Sequence, residues 1–236
     1  MGLGTNYNSF FKILINNIRH VDKEINTIFE IGSRDALDAI TANRVFKPNS
    51  VHVFECNKTL LSTCKNNIDK YNNIFLCDKA VYGEDNLKLK FKFPTKLPGP
   101  TESWNGCGSL RGEVLKEYYE STNHLFKNLN KNNSSFDEVE VDTISLNTYC
   151  KNNNVDNIDL IMLDVEGVPL QILKTYDNIK NTKIIISEVY YKIIWEKGND
   201  TFQEMENFLK DNFKCVYNEK KNTHFGNAMW VNKSIL

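Results

Sequence analysis

The run IFEIGSRDALDA, from Ile28 to Ala39, decides how the rest of the chain is read. Ile28 and Phe29 favour a pleated strand, Gly32 breaks the run, and Ala36-Leu37-Asp38-Ala39-Ile40 begins a helical pattern. Strand, tight turn, helix is the opening unit of an open α/β sheet, whose ligands lie beyond the carboxyl ends of the strands. Gly32 suits the turn because it has no Cβ to clash. A dinucleotide fingerprint needs further glycines two and five positions on, so that a pyrophosphate can rest on the helix N-terminus. Those positions hold Arg34 and Leu37, so the dinucleotide version does not fit. The turn carries Glu30, Arg34 and Asp35 instead. Such charges suit a ligand with its own ammonium and carboxylate, although an ordinary turn with its charges in solvent has the same pattern.

Outward from this turn the apolar runs repeat. Upstream, Phe10, Leu14 and Ile18 recur at helical spacing and predict a lead-in helix from about Ser9 to Arg19. Downstream, a strand over Thr27–Ile31 leads to a helix ending near Phe46, and Val51–Phe54 is a second buried strand ending at Glu55. Leu61, Cys64 and Ile68 give the next helix one apolar face, and Ile74–Cys77 is a third strand closed by Asp78. Ile158–Leu163 delivers Asp164, and Pro169, tolerated in a first helical turn, opens a helix to about Ile179. A fifth strand, Lys183–Ile186, ends near Glu188. Thr201 and Glu204 form a capping-box pattern, and Lys214–Tyr217 with Ala228–Val231 reads as a terminal antiparallel hairpin.

Residues 83–145 interrupt the alternation and read as an insertion. Leu87–Phe93 alternates strictly, as a half-solvated edge strand does. Pro94 to Gly112 is a loop rich in Pro, Gly and Ser that contains Trp104, a polar helix is expected from Gly112 to about Asn128, and Glu138–Ile144 alternates again. The pattern predicts a single α/β domain over residues 1–236, with a helical lead-in over 1–24, mostly parallel strands and helices on both faces.

Composition narrows the function classes. A formal net charge of −1 argues against a general electrostatic binder of nucleic acid. The six cysteines, Cys56, Cys64, Cys77, Cys107, Cys150 and Cys215, lack the paired close spacing of zinc sites, and several lie in apolar runs. Free thiols in a reducing, cytoplasmic setting are expected. No apolar run approaches the ~20 residues that span a bilayer, and the first ten residues lack the pattern of a secretory signal.

The strand ends gather acids. Glu55 lies 23 residues after Gly32, near the ~20 expected for an acid that accepts from ribose hydroxyls. Asp78, after the third strand, is placed to accept from the exocyclic amine of an adenine, or equally to face solvent. Asp164 and Glu166 leave the fourth strand two residues apart, on one side of extended backbone. Such a pair suits a metal, a cation or a hydroxyl, and the plain alternative is that both acids cap the helix near Pro169.

Four stretches together resemble the FkbM-type family of S-adenosylmethionine-dependent methyltransferases: FEIGSRDALDA, VHVFECNKTLLSTCKNNI, NIFLCDKAV and IDLIMLDVEGVPLQILK. Gly106–Leu110 and Val141–Ile144 match weaker blocks. The likeness covers about residues 25–190, and LDVEG is its most specific part. It implies a class I methyltransferase Rossmann-like sheet and O-methylation, often of a sugar hydroxyl, with S-adenosylmethionine as methyl donor. Carried over, Glu30, Gly32 and Ser33 would hold the donor's methionine part, with Arg34 and Asp35 beside them. Glu55 would take the ribose and Cys77 and Asp78 the adenine, with Cys56, Lys79 and Asp164 also counted as cofactor-binding. Asp164, Glu166 and Gly167 would form the reaction side. The chain departs from the family's usual first motif, with Glu30 where Asp is common, Arg34 where Asn is common and Ala36 where Gly is common.

A sugar hydroxyl is a weak nucleophile, so a positioned base is expected among Asp164, Glu166, Glu188 and His224. No metal is assigned. Trp104, Tyr190, Tyr191 and Trp195 are expected to shape the acceptor pocket. Two other readings stay open: an RNA or cap 2′-O-methyltransferase, for which Asp164, Glu188 and Lys192 would supply part of a Lys-Asp-Lys-Glu set, and a module that binds S-adenosylmethionine without catalysis.

Overall fold

The computed structural model describes residues 14, 17–18, 24–96, 108–115, 135–220 and 224–236. Most of the lead-in helix, Trp104, Cys107 and the expected helix beyond residue 115 lie outside them. Seven strands form one sheet in the order β3-β2-β1-β7-β8-β10-β9. They are β1 (Thr27–Ile31), β2 (Ser50–Phe54), β3 (Ile74–Cys77), β7 (Leu160–Leu163), β8 (Ile184–Tyr190), β9 (Phe213–Lys220) and β10 (Phe225–Asn232). The first five are parallel, and β10 runs antiparallel to both β8 and β9. Strand order reverses between β1 and β7, which makes the crevice at their carboxyl ends the place for a ligand.

Both faces of this sheet are apolar because parallel strands are covered on both sides. Phe29, Ile31, Ile161, Leu163 and Ile185 belong to one core, and Ile28, Leu160, Met162, Ile184 and Ile186 to the other. Alternation carries the second face onward to Glu30 and Glu188 at the ligand end. At the opposite end, Asp159 fastens the strand starts. Its carboxylate accepts from the amides of Asn26 (2.6 Å) and Thr27 (3.1 Å) and pairs with Lys183 (2.9 Å).

Helices α1 (Leu37–Phe46), α2 (Leu61–Ile68), α3 (Leu146–Asn152), α4 (Pro169–Leu173) and α5 (Phe202–Leu209) make the connections. Thr201 and Glu204 close the capping box on α5. Two expectations need correction. The helix opened by Pro169 stops at Leu173 instead of Ile179, and the fifth strand continues to Tyr190, so Glu188 stands within it.

The insertion is a second, three-stranded sheet of β4 (Ala80–Val81), β6 (Ser135–Ile144) and β5 (Lys88–Lys96), with β5 at its edge. Lys88 and Lys90 pair with Glu140, Asp142 and Glu138 across the solvent face. Phe91 and Phe93 interleave with those lysines, and Lys92 pairs with Ser109, which hangs the 108–110 loop beside the main sheet. Among the described residues, no helix is long and apolar enough to cross a membrane.

Candidate functional site

A cavity of about 300 Å³ opens where the strand order reverses, within the ~300–1,000 Å³ usual for ligand sites. Its floor is the Gly32 turn. An added Cβ at Gly32 (φ +82°) would lie 1.9 Å from the Asp164 carbonyl oxygen, so only glycine lets the ends of β1 and β7 meet. Gly32 and Ser33 both donate to the Phe54 carbonyl, which pins the turn to β2 as well. Arg34 and Ala36 also have positive φ, 60° and 61°. That conformation favours Asn or Gly over the Arg and Ala that stand there.

The turn acids already serve the backbone. Glu30 accepts from the Ala39 amide (3.0 Å), Asp35 from Leu37 (3.1 Å), and the Ser33 hydroxyl from Ala36 (2.9 Å). They thereby satisfy amides at the start of α1 that a helix leaves without partners. Burial, then the nearby Asp38 charge, pushes the Glu30 carboxyl well above the usual range. Arg34 lines the cavity and pairs with Asp35 at 3.2 Å.

Glu55 is buried at the end of β2. One carboxylate oxygen accepts from the Arg34 amide (2.8 Å) and the other from the Asn57 amide (2.6 Å). Burial raises its pKa against these donors. Each oxygen retains a second lone pair, so the carboxylate can still receive two hydroxyls. Cys56 and Lys79 also line the cavity, whereas Cys77 and Asp78 do not. Cys77 packs against the main core and Asp78 is exposed.

Asp164, Glu166 and Glu188 converge on the far wall, each offering a carboxylate oxygen within 4.8 Å of the others. Like charges this close repel, and a proton, a cation, hydrogen-bond donors or solvent can offset that repulsion. Glu166 has φ +36°, and its carbonyl accepts from the Ser109 hydroxyl at 2.6 Å, so the insertion clamps the acid loop. Gly167 (φ +103°) completes the turn, with Arg111 and Trp195 each 3.1 Å from where a Cβ would be. The cap of α4 is supplied elsewhere, by Asp200, which accepts from the Gln171 amide (3.0 Å).

His224 does not line the cavity. Its carbonyl accepts from the Tyr191 amide, and burial, then the Lys192 charge, lowers its pKa. Tyr190 and Trp195 pack with Ile194 in a small separate cluster, and Tyr191 donates to Asn218. Among the described residues, Phe54 and Phe91 line the cavity, the latter a residue that sequence reasoning left on an edge strand. Tyr190 has a role that sequence reasoning missed, since its hydroxyl touches both Glu166 and Glu188. The signal was its position two residues after Glu188, on the same face of one strand.

Comparison with known proteins bears on this arrangement. The model of the Methyltransferase FkbM domain matches residues 30–218. The 2-O-methyltransferase NoeI of Sinorhizobium fredii (strain NBRC 101917 / NGR234) is 23% identical over 178 residues, 75% of this chain and 68% of that protein. Among solved structures, M. capricolum TrmK in complex with S-adenosyl-homocysteine superposes with TM-score 0.46 and 14% identity, covering 93% of this chain and 67% of that one. A ribosomal protein L11 methylase from Lactobacillus delbrueckii subsp. bulgaricus gives 0.47 and 10%, over 95% and 79%.

Proposed function

Because the chain belongs to the FkbM methyltransferase family, whose methyl donor is S-adenosylmethionine, we propose that it methylates a hydroxyl of an uncharged sugar or glycan. The charge of the cavity wall carries this reading. Glu30, Asp35, Asp38, Glu55, Asp164, Glu166 and Glu188 line it, against Arg34 and Lys79. Such a wall suits a donor of net positive charge and a neutral polyol, whose hydroxyls donate to carboxylates. It repels the phosphates of RNA, and like charges brought together cost several kcal/mol. Lys192, needed for the RNA reading, is exposed and does not line the cavity. The relative NoeI, named a 2-O-methyltransferase, supports an oxygen acceptor.

The residues fit the donor. Glu55 presents two acceptor sites to a ribose, and the Gly32 turn allows close backbone approach for the methionine part. The donor supplies an activated methyl group on a sulfonium. The chain's own contribution is alignment, which is worth up to ~7–11 kcal/mol, and electrostatics. As the hydroxyl attacks, positive charge moves from sulfur to oxygen, and Asp164, Glu166 and Glu188 stabilise it there and accept the proton. Phe91 offers an apolar ring to the sugar's C–H face. The free thiols of the five described cysteines support a reducing, cytoplasmic setting.

The test is incubation with isotope-labelled S-adenosylmethionine and two acceptor sets, neutral glycans and capped RNA. Alkali-stable label in a glycan is the expected result. Label in RNA alone would overturn the acceptor assignment.

A further inference from the structure

Tyr190 is 1% exposed, and its hydroxyl oxygen lies 2.6 Å from Glu166 Oε2 and 2.8 Å from Glu188 Oε2. A phenol has one proton to donate, and an ionised carboxylate has none. One of these two contacts is therefore served by the tyrosine. At the other, two oxygens at hydrogen-bonding distance would meet lone pair to lone pair unless a further proton lies between them. Tyr190 does not resolve this by ionising, because burial, then the Glu166 and Glu188 charges, push its pKa well above the usual value. Asp164 adds a third negative charge within 4.8 Å. On the neighbouring strand β10, the residue opposite Glu188 is the uncharged Asn227. Among the described residues, Lys192 and His224 lie past the strand end, and Arg111, whose guanidinium donates to Gln171, packs on the Gly167 turn.

We infer that Glu166 and Glu188 form a one-proton pair bridged by Tyr190, carrying a single negative charge between them at neutral pH. The Tyr190 hydroxyl bonds the two glutamates, and Tyr190 is a positioning residue. Its oxygen accepts from the protonated glutamic acid while its proton is donated to the ionised one, so a proton entering at either end is relayed to the other. Resting on the methyl-transfer reading above, the pair receives what the acceptor releases. The acceptor O–H bond breaks and an O–CH3 bond forms. The S–CH3 bond breaks with its electron pair left on sulfur, and the proton joins the ionised glutamate. The pair, now carrying two protons, returns one to solvent.

The pair is tested without any ligand, by infrared titration of the full chain with isotope-labelled glutamate. The wild type should keep a protonated carboxyl at neutral pH that Glu188→Gln lacks. In that variant the amide donates to the tyrosine oxygen and leaves Glu166 ionised. Glu30, itself buried with a raised pKa, contributes to both spectra and cancels. If the two spectra differ only by one ionised carboxylate, the pair is ruled out. Tyr190→Phe should move the titration of that carboxyl by at least about one pH unit, tenfold in proton affinity. A Tyr190→Phe variant that keeps the wild type's melting temperature but shows an unmoved titration would refute the bridge. The spectrum needs neither donor nor acceptor, so its outcome is separable from that of the methylation assay.

Discussion

Gly32→Ala puts the cavity floor to the test. The backbone there has φ +82°, and the new Cβ would overlap the Asp164 carbonyl oxygen at 1.9 Å. Left-handed backbone costs an L-residue about 1–2 kcal/mol. The turn is held by two amides on the Phe54 carbonyl and has little room to rotate away. Relief must come from parting the ends of β1 and β7, a small-to-large strain of ~1–3 kcal/mol. Together these give about 2–5 kcal/mol, and at ~2–4 °C per kcal/mol for a chain of this size the melting temperature should fall by roughly 4–20 °C. Because Asp164 is the residue pushed, affinity for S-adenosylmethionine should fall at least about tenfold, equivalent to ~1.4 kcal/mol. Gly198→Ala is the control. It has φ +74° but nothing within 4 Å of the added Cβ, so it should lose only the backbone cost and leave donor binding unchanged. Scanning and titration calorimetry read both quantities. If Gly32→Ala melts within about 2 °C of the wild type, below the smallest expected fall, and binds donor normally, the close approach of the two strand ends is not what the site depends on.

Asp164→Asn keeps shape and removes charge at an exposed position of the wall, so turnover should fall by ~10²–10⁴ with donor in excess while the melting temperature holds; near-normal turnover would place the chemistry elsewhere. His52 is buried between Tyr149 and Ser50, and burial lowers its pKa from 6.5 to about 4. The unfolded chain therefore binds the proton more readily between those values, and stability should decline by up to about 3 kcal/mol as pH falls through that window. His52→Gln should flatten that part of the stability curve, and an unchanged slope would assign it to other groups. Burial pushes the Cys64 and Cys150 thiols up to about 12, so alkylation of the native chain should spare both, whereas all six cysteines should react after unfolding without reductant. A pair that resists would reveal a disulfide.

The parallel strands were legible because each is a short apolar run ending in an acid or a glycine. What was misread lies where tertiary partners decide. The helix after Pro169 stops early because residue 175 is recruited elsewhere: the Thr175 hydroxyl and carbonyl accept the Leu146 and Asn147 amides at the start of α3. No periodicity records that. Cys77 and Asp78 stay proposals for the adenine, since strand ends usually face the ligand. β3, however, lies two strands from the switch point, and the chain then turns so that Ala80 and Val81 pair with β6. That turn brings Lys79, Ala80 and Val81 to the cavity.

For the site, the positions of the acids could be read but their duties could not, because a carboxylate's duty depends on which donors the fold brings to it. Asp164 and Glu166 looked equally able to cap a helix, yet Asp200, some thirty residues on, takes the Gln171 amide. Glu30 and Glu55 occupy equivalent strand ends and differ in what reaches them. Glu30 is enclosed with the first turn of α1, and its carboxyl is driven towards the neutral form, which suits a structural role. Glu55 accepts the Arg34 and Asn57 amides on its two oxygens, with the Cys56 amide close by, and like Glu30 it lines the cavity. Those amides lock the rotamer before a ligand arrives and leave one lone pair on each oxygen. Two neighbouring hydroxyls can then be received without rearrangement, so little ordering cost is left to be met on binding. This is why, of the two acids, Glu55 is the one proposed for the ribose.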